Sequence, residues 1–418
     1  MKALLSSLFQ RLGFVSMVLG AFGAPVAGLA AADDEQLLKM SWEQVLKEAK
    51  GQTVRWWMWA GDAGVNQYVD EWVAPRVQKE YGITLKRVPI KETAEGVQQV
   101  VGEKQAGKMT GGTVDLNWIS GDNLFTMKQA GLLFKGYREK LPNGKYINWD
   151  DAVIKYDRAE PVDGAAIAWG RYQQVLAYDS AKIQNPPKSF KELEEWMKKN
   201  PGRFTYPAPP DFTGTSIVLT LLYNVSGGAE QWAKPFDQAL WDKHSPKVWE
   251  ILNSWKPYLW RKGETYPESI SIQDQLFGSG ELWWSSSMYY SIPGRNVAKG
   301  LFPKTTRTVV LDQGTISAAH AIGIPFNSSS KAAAMVVIDF LIGPEPQYQK
   351  ALPDVWGIGT VLDMNRLPQD WKQKFAGIPR AEATLNPVEL DSKKAPAPHA
   401  KYVIALDQDF KKNVLQKR

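Results

Sequence analysis

"VRWWMWAGD", residues Val54 to Asp62, is a run of apolar and aromatic side chains held between Gly51 and Gly61 with almost no polar alternation. Such a run reads as a strand of a sheet covered on both faces, which places Trp56 and Trp57 in a core. Trp59 differs because it falls at the carboxyl end, where open α/β sheets bind their ligands. Gly61 then permits a tight turn that brings backbone close to a ligand, and Asp62 offers a fixed acceptor.

Working outward, helical and strand-like segments alternate. "MSWEQVLKEAKG" places Ser41 to cap a helix that Gly51 stops. "GVNQYVDEWVAPRVQKEYG" spaces Tyr68, Trp72 and Val77 helically, with Pro75 as a kink, and "ITLKRVPI" is the next strand. "ETAEGVQQVVGEKQAGKM" is helical, and "VDLNWIS" is a third strand running into "GDNLFTMKQAGLL". This alternation implies parallel pairing through right-handed crossovers. The pattern restarts at "GAAIAWGRYQQVLAYD", a long strand interrupted at Gly170. "PKSFKELEEWMKKNPGRFTYPAPP" reads as a helix begun near Ser189, then a strand and a proline-rich turn. "DFTGTSIVLTLLYNVSGG" starts a helix at Thr213 to Ser216 that Gly227 and Gly228 end. "ELWWSSSMYYSIPG" gives a strand and loop, and "TVVLDQGTISAAHAIGIP" a strand that crosses back ahead of the helix "SSKAAAMVVIDFLIGPEPQYQKAL".

A length of 418 residues favours two lobes over one core. Hydrophobic content of 44% and charged content of 22% are globular values, and no interior stretch reaches the ~18 apolar residues of a membrane span. At the N-terminus, Lys2 and Arg11 precede "LGFVSMVLGAFGA", and "PVAGLAAA" follows with small residues at Ala30 and Ala32. That is a secretory signal peptide over residues 1–32, cleaved before Asp33. Its removal takes Lys2 and Arg11 and no acid, lowering the formal charge from +6 to +4. The basic residues are scattered, so no footprint for nucleic acid is present. The absence of cysteine excludes disulfides and a lipid anchor at the cleavage site, which points to a freely soluble periplasmic protein.

The order of four segments, "VRWWMWAGD", "VDLNWISGDNLFTMKQAGLL", "NPPKSFKELEEWM" and "FGSGELWWSSSMYYSIPG", together with "SSKAAAMVVIDFLIGPEPQYQKAL", is similar to the extracellular solute-binding proteins of ABC importers. The likeness is to the two-lobed type related to maltose-, spermidine-, thiamine- and ferric-ion-binding proteins, and within it to the YnjB-type subgroup, whose ligand is inferred to be thiamine-like. It implies an α/β, type II periplasmic binding protein-like fold whose lobes are joined by hinge strands. Crossings are implied near residues 168–173, 308–316 and 353–359, with lobe 1 over 33–170 and 312–355 and lobe 2 over 171–311 and 356–418. It further implies a monomer that holds a small solute between the lobes without a cofactor and is read on closure by an inner-membrane permease.

Candidate binding residues cluster at loop ends, each with a structural alternative. Trp59, Gly61 and Asp62 follow the first strand, and Ser120, Gly121, Asp122 and Asn123 follow the third; "SGDN" is equally an ordinary helix start. On the first crossing, Trp169 and Tyr172 offer flat faces, while Arg171 offers a forked donor for a carboxylate or phosphate or else latches the lobes as an ion pair. Asp211, Phe212, Thr213, Thr215 and Ser216 open a helix whose free N–H groups suit an anion, or serve as its cap. Tyr289 and Tyr290 fall where the ferric-binding relatives carry an iron-ligating pair. Phenolates need further anionic or imidazole help, and the first-strand loop has no histidine, so aromatic wall or core is favoured over a metal. Trp59, Trp169, Tyr172, Phe212, Trp284, Tyr289 and Trp356 together suit a cationic heteroaromatic ring, with Asp62, Asp122 and Asp211 as counter-charge; sugars stack on the same faces. His244, His320 and His399 are isolated and read as surface or hydrogen-bonded residues. HExxH, GxSxG and P-loop patterns are absent. A secreted carbohydrate-active enzyme with a carboxylate pair stays open as the alternative.

Overall fold

The computed structural model describes residues 34–416; the signal-peptide reading of residues 1–32 lies outside them. Ser41 caps the helix Trp42–Ala49 reciprocally with Gln44, and the next segment, β1 (Thr53–Trp59), is the strand that opened the sequence reading. β1 pairs in parallel with β2 (Thr84–Ile90) on one side and β3 (Leu116–Ile119) on the other. Along β1, Val54, Trp56 and Met58 are fully buried and alternate with half-buried residues. Trp56 packs into the larger of two clusters in this lobe, and Trp57 against the cluster of Val97, Val100 and Leu124. Both faces of the sheet are therefore covered.

Between β1 and β2 the expected single kinked helix is three pieces. Ala63–Gln67 is followed by a wide π-helical turn over Tyr68–Val73 and then by Ala74–Tyr81, which carries Pro75 in its first turn. Proline supplies no N–H and is accepted at a helix start; the widened turn ahead of it absorbs the irregularity.

A hairpin of β4 (Tyr156–Asp157) and β5 (Glu160–Pro161) precedes the crossing. β6 (Ile167–Gln173) belongs to the first sheet and β7 (Val175–Asp179) to a three-stranded second sheet, with Gln174 alone between them. The chain returns through β9 (Thr306–Val309), which pairs with β7, and β10 (Thr315–Gly323), which lies between β3 and β6. β8 (Trp284–Ser287) completes the second sheet, and β11 (Lys394–Ala395) pairs with the start of β10. Two α/β lobes are thus joined by a ribbon whose strands serve both sheets. A further strand-like passage touches this ribbon where Arg171 N–H donates to Gly359 O at 2.9 Å.

The second lobe packs Leu176, Leu219, Trp255 and Tyr402 around its sheet. Its helix Phe190–Lys199 is capped by Ser189 and Phe212–Ser226 by Asp211, with Gly227 left-handed at the end. The expected strand around Phe204 forms no ladder; Phe204 and Tyr206 are buried in irregular chain against this core.

Candidate functional site

The carboxyl ends of β1 and β3 face the second lobe, and a continuous set of aromatic rings runs between them. Trp118, at the end of β3, meets Trp59 edge-on at 6.4 Å, Trp169 at 5.0 Å and Trp356 at 5.6 Å. From the second lobe Phe212 approaches Tyr172 at 5.6 Å, and Tyr289 approaches Tyr172 at 6.4 Å and Trp356 at 5.6 Å. Trp59, Phe212 and Tyr289 remain half-buried and form the rim. Gly61 is needed here because an added Cβ would lie 2.2 Å from the Trp59 ring, which folds back across it.

His320 sits at the centre of this cage, 4.8 Å from Trp118 and stacked on Tyr172 at 6.1 Å. Neither ring nitrogen has a hydrogen-bond partner among the described residues, nor do the indole nitrogens of Trp169 and Trp356. Burial, with the charge of Lys350, holds the imidazole well below its ordinary pKa, so it is neutral. The surface or hydrogen-bonded reading fails for this histidine. Gly170 marks the spot, since a Cβ there would lie 2.5 Å from His320 Nε2; a glycine inside a strand is the sequence signal for such close approach.

Charged groups rim the cage. Asp62 caps the helix Ala63–Gln67 through Val65 N–H and is gripped by both terminal nitrogens of Arg295, a residue of the helix Ile292–Ala298 that packs on β9. Beside this pair, Ser271 Oγ donates to Gly61 O at 3.2 Å, again from lobe to lobe. Burial and the charges of Asp62 and Asp211 push Asp274 up to about 7, although it accepts a hydrogen bond from Ser285 Oγ. Burial likewise raises Asp211, against the backbone N–H groups of Gly214, Ile270 and Thr213 that it accepts. At the far end the β4–β5 hairpin bridges the lobes: Gly121 N–H donates to Asp157 Oδ2 at 2.6 Å, and Glu160 pairs with His399 Nε2 at 2.8 Å.

The structure brings Trp59, Gly61, Asp62, Trp169, Tyr172, Phe212, Tyr289 and Trp356 into one region, with Ser120, Asp122 and Asp211 at its edge. It engages others elsewhere. Asn123 donates to Thr93 Oγ1, Ser216 Oγ to Phe212 O on its own helix, and Thr213 O accepts from Gln174. Arg171 pairs with Asp151 at 2.6 Å; burial opposes ionisation of Asp151, but this partner outweighs it and lowers the pKa. Trp284 lies in the second core among Tyr178, Trp196 and Phe204. Tyr289 and Tyr290 part company, the latter packing against Val175, Val310 and Leu390. Among the described residues no three His, Asp or Glu side chains gather as a metal site. Trp118, Asp274, Arg295 and His320 were not singled out as site residues from sequence. Trp118 was within reach, since strand alternation puts it on the face of Ser120 two residues later.

The family model for bacterial extracellular solute-binding proteins matches residues 72–377. Protein YnjB of Escherichia coli (strain K12) is 35% identical over 369 residues, which is 88% of this chain and 92% of YnjB. Among solved structures, the periplasmic binding protein AfuA of Actinobacillus pleuropneumoniae, with fructose-6-phosphate bound, aligns with a TM-score of 0.62 at 13% identity, covering 87% of this chain and 99% of AfuA. An ABC transporter structure from Clostridium perfringens ATCC 13124 aligns with a TM-score of 0.58 at 17% identity, covering 87% and 98%. The two structural likenesses concern the fold.

Proposed function

The chain belongs to the bacterial extracellular solute-binding proteins; we propose that it serves an ABC importer and that its solute is a cationic aromatic nutrient of the thiamine kind, held between the lobes in the periplasm and passed to an inner-membrane permease. The observation that carries the reading is the rim of Trp59, Phe212 and Tyr289, drawn from both lobes and bordered by the carboxyl groups of Asp122, Asp211 and Asp274. A flat cation gains from each ring face, about 0.5–2 kcal/mol per contact, and Asp122 supplies counter-charge. Lobe closure around such a ring is the signal that a permease can read.

The test is a titration of the mature protein with thiamine, and separately with maltose, followed by tryptophan fluorescence and thermal unfolding. Thiamine is expected to give a saturable quench and, at 100 times its dissociation constant, about 2.7 kcal/mol of added stability. A response to maltose alone would move the assignment to sugars, and breakdown of the sugar would move it to the enzyme reading.

A further inference from the structure

At one end of the cleft, two nitrogens of a buried guanidinium lack a hydrogen-bond partner among the described residues. Arg158 is 4% exposed, and its Nε and Nη1 are buried without a hydrogen-bond partner among the described residues. Its place is fixed by the β4–β5 turn, where Arg158 and Ala159 both take left-handed φ values of 47° and 63°. Side chains larger than glycine are uncommon there. The hairpin is pinned to the first lobe through Asp157 and Gly121 and to the second through Glu160 and His399, so the guanidinium is held between them, 5.5 Å from the Phe212 ring.

Gly121 starts the helix Asp122–Gln129, and no side chain caps that helix. With φ at 63°, Gly121 leaves its Cβ position open, 2.2 Å from where Arg158 Nε lies. The unpaired N–H groups of a buried arginine therefore lie beside the start of a helix that no side chain caps. A helix amino end favours negative charge, and a guanidinium fork matches the oxygens of carboxylate and phosphate. Three carboxyls stand nearby, and none accepts a hydrogen bond from Arg158. Asp157 is engaged by Gly121 and Asp407 by Thr215 Oγ1, while Asp122 heads the helix. Burial pushes Asp157 up to about 6 and, with the charge of Asp122, Asp407 up to about 7, in both cases against the charge of Arg158. Carboxyls in that range take up a proton readily, and a protonated carboxyl donates to an oxyanion instead of repelling it.

We propose that Arg158 and the amino end of the helix Asp122–Gln129 form an oxyanion subsite that takes a phosphate monoester or carboxylate carried by the solute whose ring lies against Phe212. The inference rests on the cleft being the solute site. It adds a negative group to the cationic ring proposed above.

The full mature chain is titrated with inorganic phosphate and, separately, with acetate at constant ionic strength, following the Nε–H resonance of Arg158 identified by its loss in Arg158→Lys. A saturable shift is expected with at least one of the two, and saturation by phosphate alone or acetate alone names the class. Phosphate or acetate binding read by calorimetry should weaken at least tenfold in Arg158→Gln and in Gly121→Ala, and tighten in Asp122→Asn. No saturable response in the unaltered protein, or undiminished binding in Arg158→Gln, overturns the subsite. Should Arg158→Gln fail to fold, Gly121→Ala and Asp122→Asn decide in its place. Thiamine quenching is read in the same samples. Thiamine binding without an oxyanion response removes the subsite and leaves the cleft reading, and the reverse result removes the thiamine reading and leaves the subsite.

Discussion

Asp62→Asn should part the lobes before it unfolds either of them. Asp62 and Arg295 come from different lobes, and their side chains are only 9% and 4% exposed. The guanidinium grips both carboxylate oxygens and also donates to Trp356 O at 3.3 Å. Gly64 makes room for it, since a Cβ there would lie 2.4 Å from both Arg295 Nη1 and Val355 O. Asn would leave the guanidinium buried without an anion, which typically costs about 3–5 kcal/mol. In a single core that loss would fall on global stability. Here, separation of the facing loops returns Arg295 to water, so the molecule avoids most of the cost by opening. At 1.4 kcal/mol per factor of ten, the ratio of closed to open forms should fall on the order of a hundredfold to a few thousandfold. Small-angle scattering of the unliganded variant should show a larger radius of gyration, with a urea-unfolding loss well short of the full penalty. Adding Arg295→Met should recover part of the closed population, because removing both charges costs less than orphaning one. An unchanged radius of gyration together with the full loss in urea would show that the pair belongs to a rigid core and would refute the reasoning.

Trp56→Ala should cost about 3–5 kcal/mol of unfolding free energy, the usual price of a large buried aromatic, whereas Trp59→Ala should cost less and weaken thiamine quenching; urea melts and titrations of the two variants separate these effects. Asp274, raised to about 7, should make stability depend on pH with a definite sign. Its proton is held in the folded state through a window, from about 4 to about 7, in which the unfolded chain has released it, so this contribution is complete below the window and lost as pH rises through it. Unfolding free energy of the unaltered protein should therefore fall more steeply with rising pH across that window than that of Asp274→Asn, measured by urea denaturation at fixed ionic strength; equal slopes would argue against the raised carboxyl.

Much of the scaffold was readable because local chemistry agreed with it. The apolar run of β1, the caps at Ser41 and Ser189 and the left-handed stop at Gly227 each carry their own physical cause in the residues themselves. Trp284 misled because aromatic type says nothing of direction: β8 turns that ring into the second core, and only pairing with β7 reveals it. The site was legible at its loop ends and obscure in its charge. Arg295 meets Asp62 across 233 positions of sequence, and Arg158 reaches the cleft through a two-residue turn with no motif to announce it. Arg171 carried the more conspicuous sequence context and proved to be the one already paired.

The placement of β10 also dictates the order in which the molecule can be completed. Among the described residues β10 alone joins β3 to β6, and it arrives some two hundred residues after β3 by the numbering of Leu116–Ile119 and Thr315–Gly323. The second lobe waits longer still, because Tyr402, Leu406 and Phe410 belong to its core. A chain emerging from its N-terminus therefore has no finished hydrophobic interior until most of its length is available. Contacts of such long sequence separation form slowly, since the loop entropy must be lost before the pairing rewards it. A polypeptide built this way becomes compact only late in its synthesis.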